Sequence, residues 1–212
     1  MRLAIFGASG GTGLLLTERA LAAGHEVSAL VRNPSKFPFA SKVRMVKGDA
    51  FTPSAIAATL EGADAVLSAL GARSLKREDV LERAVPLIVK AMEEARVQRL
   101  IVLGSSGALD SALDKQPGYK RWLIENILYK TMLKWPVASQ RAQYAELAKS
   151  GLDWTMVMPP MLTNSGATGK VRVDGDALPR DGARISRADV ADFMMAQLVS
   201  SKCSRRGVYI SW

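Results

Sequence analysis

Short apolar runs alternate with longer stretches of helical periodicity along the whole chain. Leu3-Ala4-Ile5-Phe6 is apolar at consecutive positions, the pattern of a strand buried on both faces of a sheet. Similar runs predict strands over 26–31, 43–47, 65–69, 100–103 and 154–158. Between them, apolar residues at helical spacing predict helices over 11–23, 54–61, 77–95, 138–150 and 187–199. Thr52 followed by Pro53 reads as an N-cap with proline in the first turn. Ser186-Arg187-Ala188-Asp189 has the spacing of a capping box. Strand and helix in alternation predict an α/β fold: one doubly wound, mainly parallel sheet with helices on both faces. No linker, repeat or low-complexity tract interrupts the 212 residues, so a single domain over 1–212 is expected.

Such a sheet binds ligands beyond the carboxyl ends of its strands, so the residues just after each strand carry the candidate chemistry. After the first strand come Gly7-Ala8-Ser9-Gly10-Gly11-Thr12-Gly13, leading directly into a helix. Glycines there let backbone approach a dinucleotide diphosphate, and the helix N-terminus favours the anion. The spacing is Gly-x-x-Gly-x-x-Gly, with Gly7, Ser9, Gly10, Gly11, Thr12 and Gly13 as the candidate contacts. After the second strand, where an acidic residue would hold a ribose 2′-hydroxyl, stand Arg32 and, a turn later, Lys36. A guanidinium suits a 2′-phosphate instead, which points to NADPH; an arginine on a surface loop is the plainer reading. After the third strand, Asp49 and Ala50 either meet the adenine or begin the next helix. Leu70, Gly71 and Arg73 follow the fourth strand, where a glycine lets cofactor pass close or simply forms a turn. Ser105 and Ser106 follow the fifth, where a serine orients a carboxamide or serves a turn. Pro159, Pro160 and Met161 follow the sixth: two prolines remove N–H donors and leave carbonyls that either accept from the cofactor or form a corner.

Composition adds exclusions. A hydrophobic share of 48% and a charged share of 23% are ordinary for a globular protein. One cysteine, Cys203, and one histidine, His25, support neither an intrachain disulfide nor a zinc cluster, and no metal is expected. No apolar run suggests a membrane span, and a strand from residue 2 leaves no room for a signal peptide, so a cytoplasmic protein is expected. Lysine and arginine exceed aspartate and glutamate by 29 to 20. The basic residues are scattered without an aromatic ladder, which argues against nucleic acid and for a solvated surface with an anionic small-ligand site.

With these residues in place, the chain resembles the atypical short-chain dehydrogenase/reductases, and within them the NAD(P)H-dependent flavin reductase/biliverdin-IXβ reductase group. Ala4-Ile5-Phe6-Gly7-Ala8-Ser9-Gly10-Gly11-Thr12-Gly13, Leu30-Val31-Arg32, Gly48-Asp49 and Leu70-Gly71 carry the likeness. So do Ser105-Ser106, Ser150-Gly151-Leu152, Val157-Met158-Pro159-Pro160 and Ile185-Ser186-Arg187-Ala188-Asp189. The resemblance implies a single Rossmann-like NAD(P)-binding domain, and an NADPH-dependent reductase passing hydride to a flavin or similar planar acceptor, a biliverdin-like molecule or a quinone. Flavin would then be a substrate, not a tightly held cofactor. The alternatives are an NADP(H)-binding redox-sensing regulator without turnover, or an epimerase-like protein or quinone reductase. Relatives can carry a histidine after the two prolines where this chain has Met161. The Tyr-x-x-x-Lys pair of short-chain dehydrogenases is absent: Tyr129 is followed at +4 by Leu133, and Tyr144 by Ala148. This disfavours alcohol–ketone chemistry and suits transfer to a flavin, which relies on positioning, with Ser106 the catalytic candidate.

The segment from Tyr119 to Trp135 is extra relative to that pattern. It mixes Trp122, Leu123, Ile127, Leu128 and Met132 with Lys120, Arg121, Lys130 and Lys134. It reads as an amphipathic lid that lays Trp122 and Leu123 on the acceptor, as a docked surface helix, or, less favoured, as a membrane-surface helix. The expected partner is a small planar molecule, and the expected state a monomer or weak homo-oligomer.

Overall fold

The computed structural model describes residues 1–72 and 74–212. Its frame is an eight-stranded sheet of order β3-β2-β1-β4-β5-β6-β10-β8. The strands are β1 (Arg2–Phe6), β2 (Glu26–Val31), β3 (Arg44–Lys47), β4 (Ala65–Ser68), β5 (Arg99–Leu103), β6 (Asp153–Met158), β8 (Arg172–Asp174) and β10 (Arg206–Ser211). All neighbours pair in parallel except β8, which runs antiparallel to β10. A separate parallel pair joins β7 (Met161–Thr163) to β9 (Arg184–Ser186). The fold is a Rossmann-like α/β architecture, as the alternating pattern predicted.

The period of two along β1 shows why the sheet needs cover on both sides. Ala4 and Phe6 enter the core on one face, Leu3 and Ile5 the core on the other, and all four are buried. α2 (Pro53–Leu60), α3 (Val80–Glu94) and α5 (Lys134–Lys149) cover the first face through Ile56, Leu60, Leu81, Ile88, Met92 and Leu147. α1 (Gly11–Ala22) and α6 (Arg187–Ala196) cover the second, with Leu16, Ala20, Val190 and Met194. Among the described residues the remaining α-helix is the short α4 (Gly118–Leu123). Among the described residues no helix is long and apolar enough to cross a membrane.

Four strands escaped the reading of the sequence. β7, β8 and β9 have three residues each, too few to display a period. β10 holds the fully buried Val208, Tyr209 and Ile210 behind a polar approach, Lys202 to Arg206. α5 begins at Lys134, earlier than expected, because Pro136 falls in its first turn, where a missing N–H costs nothing. Thr52 does precede α2, but its hydroxyl caps no N–H; it donates to Asp49 Oδ1 at 2.9 Å.

Segment 119–135 is not one continuous amphipathic helix. Ile124–Leu128 winds as a π-turn, with Tyr129 N bonded to Ile124 O at 2.8 Å and Leu133 N to Leu128 O at 2.9 Å. The wider turn rotates every later side chain relative to a 3.6-residue period. Ile124 and Tyr129 are thereby brought against the core, while Trp122 and Leu123 stay 61% and 50% exposed.

Candidate active site

Three glycines give the first loop its shape, each for a separate steric reason. Gly7 has φ +74°, and a Cβ there would sit 2.7 Å from the carbonyl of Ala69 at the end of β4. Gly13 lies so close to β1 that a Cβ would come within 2.0 Å of Gly7 O. Gly10 is the N-cap of α1; its own N–H bonds back to Gly7 O at 3.0 Å, and no side chain caps the helix. The first turn of α1 also lacks an acidic residue. The positive end of the helix dipole is therefore uncompensated, and it opens beside the crossover between β1 and β4 where the strand order reverses.

At this point lies a cavity of about 730 Å³. Its walls bring together Gly7, Ser9, Gly10, Gly11, Thr12, Arg32, Asp49, Ala50, Leu70, Gly71 and Ser105, all singled out from the sequence. Arg32 is exposed at its edge and forms no ion pair among the described residues. Asp49 Oδ1 accepts from Phe51 N and Thr52 Oγ1, each at 2.9 Å, so this carboxylate closes the turn into α2 as well as facing the cavity. The cradle of glycines, the uncapped helix start and the free guanidinium fit a dinucleotide.

Other candidates stand elsewhere. Gly13 is buried in the first turn of α1, against the Gly7 carbonyl, and is not in the cavity wall. Lys36 is exposed outside the cavity wall. Pro159, Pro160 and Met161 are not in the wall either; their neighbour Leu162 is. The Pro159 carbonyl accepts from Ser106 N at 2.8 Å, so it is spent on joining the loops after β5 and β6. Arg73 lies outside the described residues. The structure does not bring Trp122 or Leu123 to the cavity: the short α4 turns them to solvent. What the segment contributes instead is Leu133, with Pro136, Ser139 and Gln140 just beyond it on α5. Gln143 Nε2 ties α5 to the end of β5 through Leu103 O at 3.1 Å.

Ser106 lies just behind the wall, and the Tyr129 hydroxyl interacts with it. The Tyr129 ring lies on Gly107, where a Cβ would be 3.4 Å from Cζ. Burial pushes the Tyr129 hydroxyl above the ordinary tyrosine range, against the opposing effects of Ser106 and the Arg141 charge. Leu133 at +4 gave no hint of this pairing, because the contact depends on the π-turn. On its far side Tyr129 borders a second groove of about 680 Å³, rimmed by Arg121, Lys130, Lys134 and Arg141.

The Ser186 box forms, with a twist. Ser186 Oγ accepts from Asp189 N at 2.9 Å. The Asp189 carboxylate also accepts from Ser186 Oγ and Trp212 Nε1 at 2.8 Å, from Gly169 N at 2.9 Å and from Thr168 N at 3.0 Å. Burial alone would push this carboxyl up; the donors outweigh it and hold it at about 2. Arg187, between them, reaches the cavity, a role the capping pattern had masked.

Fold and cavity together define a nucleotide-binding Rossmann-like protein. The family model for NAD(P)H-binding proteins matches residues 7–201, and the chain belongs to that family. Bacillus subtilis YwnB is 34% identical over 109 residues, a match spanning 51% of this chain and 49% of YwnB. Two solved structures share the fold over essentially the whole chain. One is ChuY, an anaerobilin reductase from Escherichia coli O157:H7, with TM-score 0.83 and 23% identity over 100% of this chain and 97% of that one. The other is a Veillonella parvula short-chain dehydrogenase/reductase in complex with NADP, with TM-score 0.81 and 17% identity over 100% of this chain and 94% of that one.

Proposed function

We propose that the protein is an NADPH-dependent reductase that passes hydride to a flavin or another planar, anionic acceptor. The observation that carries the cofactor half is Arg32: a guanidinium at the end of β2 with no ion pair among the described residues, in the same cavity wall as Gly10 and Thr12. A ribose 2′-phosphate there would meet a fixed fork of donors, and a bare 2′-hydroxyl would gain little from it. Bound nicotinamide supplies the hydride. The chain positions it: the glycine loop and α1 hold the diphosphate, while Gly104 and Ser105 close the strand-end floor. Leu133 and Pro136 offer an apolar wall for an acceptor ring. In the neighbouring groove Arg121 is paired with Asp114 and Glu125 and Arg141 with Asp110, while Lys130 and Lys134 form no ion pair among the described residues and favour an acceptor bearing phosphate or carboxylate. The fold shared with ChuY makes a bilin-type acceptor worth including beside flavins and quinones.

Titration of the protein with NADPH and NADH, followed by steady-state oxidation with free flavin, biliverdin and a quinone, tests this reading. Arg32→Glu is expected to weaken NADPH at least tenfold, the size of one lost charge-assisted contact, and to spare NADH. Equal loss of both cofactors refutes the assignment of Arg32. NADPH binding without turnover of any acceptor returns the protein to the class of redox sensors.

A further inference from the structure

Arg187 is the member of the Ser186–Asp189 motif that the cap does not use. Its stem crosses the open face of Gly11: a Cβ built on Gly11 would lie 3.1 Å from both Cδ and Nε of Arg187. The guanidinium then reaches Asn164, with Nη1 donating to Oδ1 at 2.7 Å. It forms no ion pair among the described residues. Arg187 shares the cavity wall with Gly10, Gly11 and Thr12. A half-buried cation whose partner here is a neutral amide, set over an uncompensated helix start, concentrates positive potential at one spot.

We propose that Arg187 is a direct ligand of the cofactor diphosphate, and that Gly11 lacks a side chain so that the Arg187 stem can lie across it. The inference rests on the reading of this cavity as the NAD(P)H site. It assigns to the two glycines of the loop's centre different duties. Gly10 begins the helix, and Gly11 gives passage to an arginine from the other end of the chain. The β7–β9 pair, which brings Leu162 to the wall and leads into Arg187, becomes part of the cofactor site. Arg32 reads the 2′-phosphate and distinguishes the two cofactors; Arg187 grips what both share.

Calorimetric or fluorescence titration of five proteins decides it: parent, Arg187→Ala, Arg187→Lys, Gly11→Ala and the Gly11→Ala/Arg187→Ala double variant. The ligands are NADPH, NADH and adenosine 2′-monophosphate, which has no diphosphate. Arg187→Ala is expected to weaken NADPH and NADH alike, about tenfold, and to leave adenosine 2′-monophosphate unchanged. Arg187→Lys recovers part of the loss, since it keeps the charge but not the fork. Gly11→Ala is expected to mimic Arg187→Ala, and the double variant to be little worse than either, because both remove one contact. Unchanged affinity in Arg187→Ala overturns the proposal. Equal loss of adenosine 2′-monophosphate also overturns it, showing a structural effect, and additive losses overturn the role of Gly11. Failure of the parent to bind either dinucleotide would instead refute the cavity's assignment.

Discussion

Asp189→Asn isolates a carboxylate held by donors from Thr168, Gly169, Ser186 and Trp212. Oδ1 accepts from Thr168 N at 3.0 Å and Gly169 N at 2.9 Å; Oδ2 accepts from Ser186 Oγ and Trp212 Nε1 at 2.8 Å, from Thr168 Oγ1 at 3.2 Å and, shared with Oδ1, from Thr168 N at 3.1 Å. An asparagine amide fills the same space with one acceptor instead of two. If its nitrogen replaces Oδ1, two backbone N–H groups face a donor. If it replaces Oδ2, the Ser186 and Thr168 hydroxyls can rotate to accept and Thr168 N keeps Oδ1, but the indole N–H is left without an acceptor. The second arrangement is cheaper, so the cost is one stranded Trp212 donor plus the loss of charge assistance, about 2–4 kcal/mol. The pH dependence gives an independent figure. A buried carboxyl held at about 2, against an ordinary 3.8, contributes about 2 kcal/mol through linkage. Because the folded value is the lower, that stability is complete above about pH 4 and is lost as pH falls toward 2. Urea denaturation of parent and variant at pH 7, 5, 4 and 3 is the assay. The gap should be 2–4 kcal/mol from pH 7 to 5 and shrink below pH 4. A gap under about 1 kcal/mol at pH 7, or one that stays constant down to pH 3, would refute the argument.

Gly13→Ala should abolish folding or cost more than about 4 kcal/mol, since its Cβ would lie 2.0 Å from a backbone oxygen that cannot move aside. Gly71→Ala, with nothing among the described residues within 4 Å of the added atom, should stay within about 1 kcal/mol of the parent in the same urea titration. Trp122→Ser should leave the acceptor KM in steady-state assays within twofold, because Trp122 is 61% exposed and outside the cavity. A clear rise in KM would restore Trp122 to the acceptor site.

Where a single element carries its own signal, the sequence was legible. β1 to β6 and the helices packed on them were expected nearly where they stand, because long runs show their period and both faces of the sheet are buried. The glycine loop declared the cavity, since Gly10 and Gly13 both face the Gly7 carbonyl a few residues away; that Gly7 also makes room for Ala69 was not legible. Contacts made by returning chain were not legible. Leu133 at +4 from Tyr129 concealed the approach of that phenol to Ser106, which a π-turn creates. Arg187 was absorbed into a capping pattern that does form, and nothing in its neighbours reveals that it crosses Gly11, far away in sequence. Trp122 and Leu123 looked like a lid only on the assumption of an unbroken helical period.

The place of β10 in the sheet has a consequence for synthesis. It is inserted between β6 and β8, both of which precede it in the chain. Until residues 206–211 leave the ribosome, β6 has an unsatisfied edge and β8 has no neighbour at all. The glycine loop and the strands β1 to β4 around it need none of those residues, so the nucleotide half of the molecule has the means to settle during translation. The half that bears Arg187 cannot close until the late strand slides in. A nascent chain stalled before β10 would expose a bare parallel edge, a state that invites pairing with another copy and calls for a chaperone.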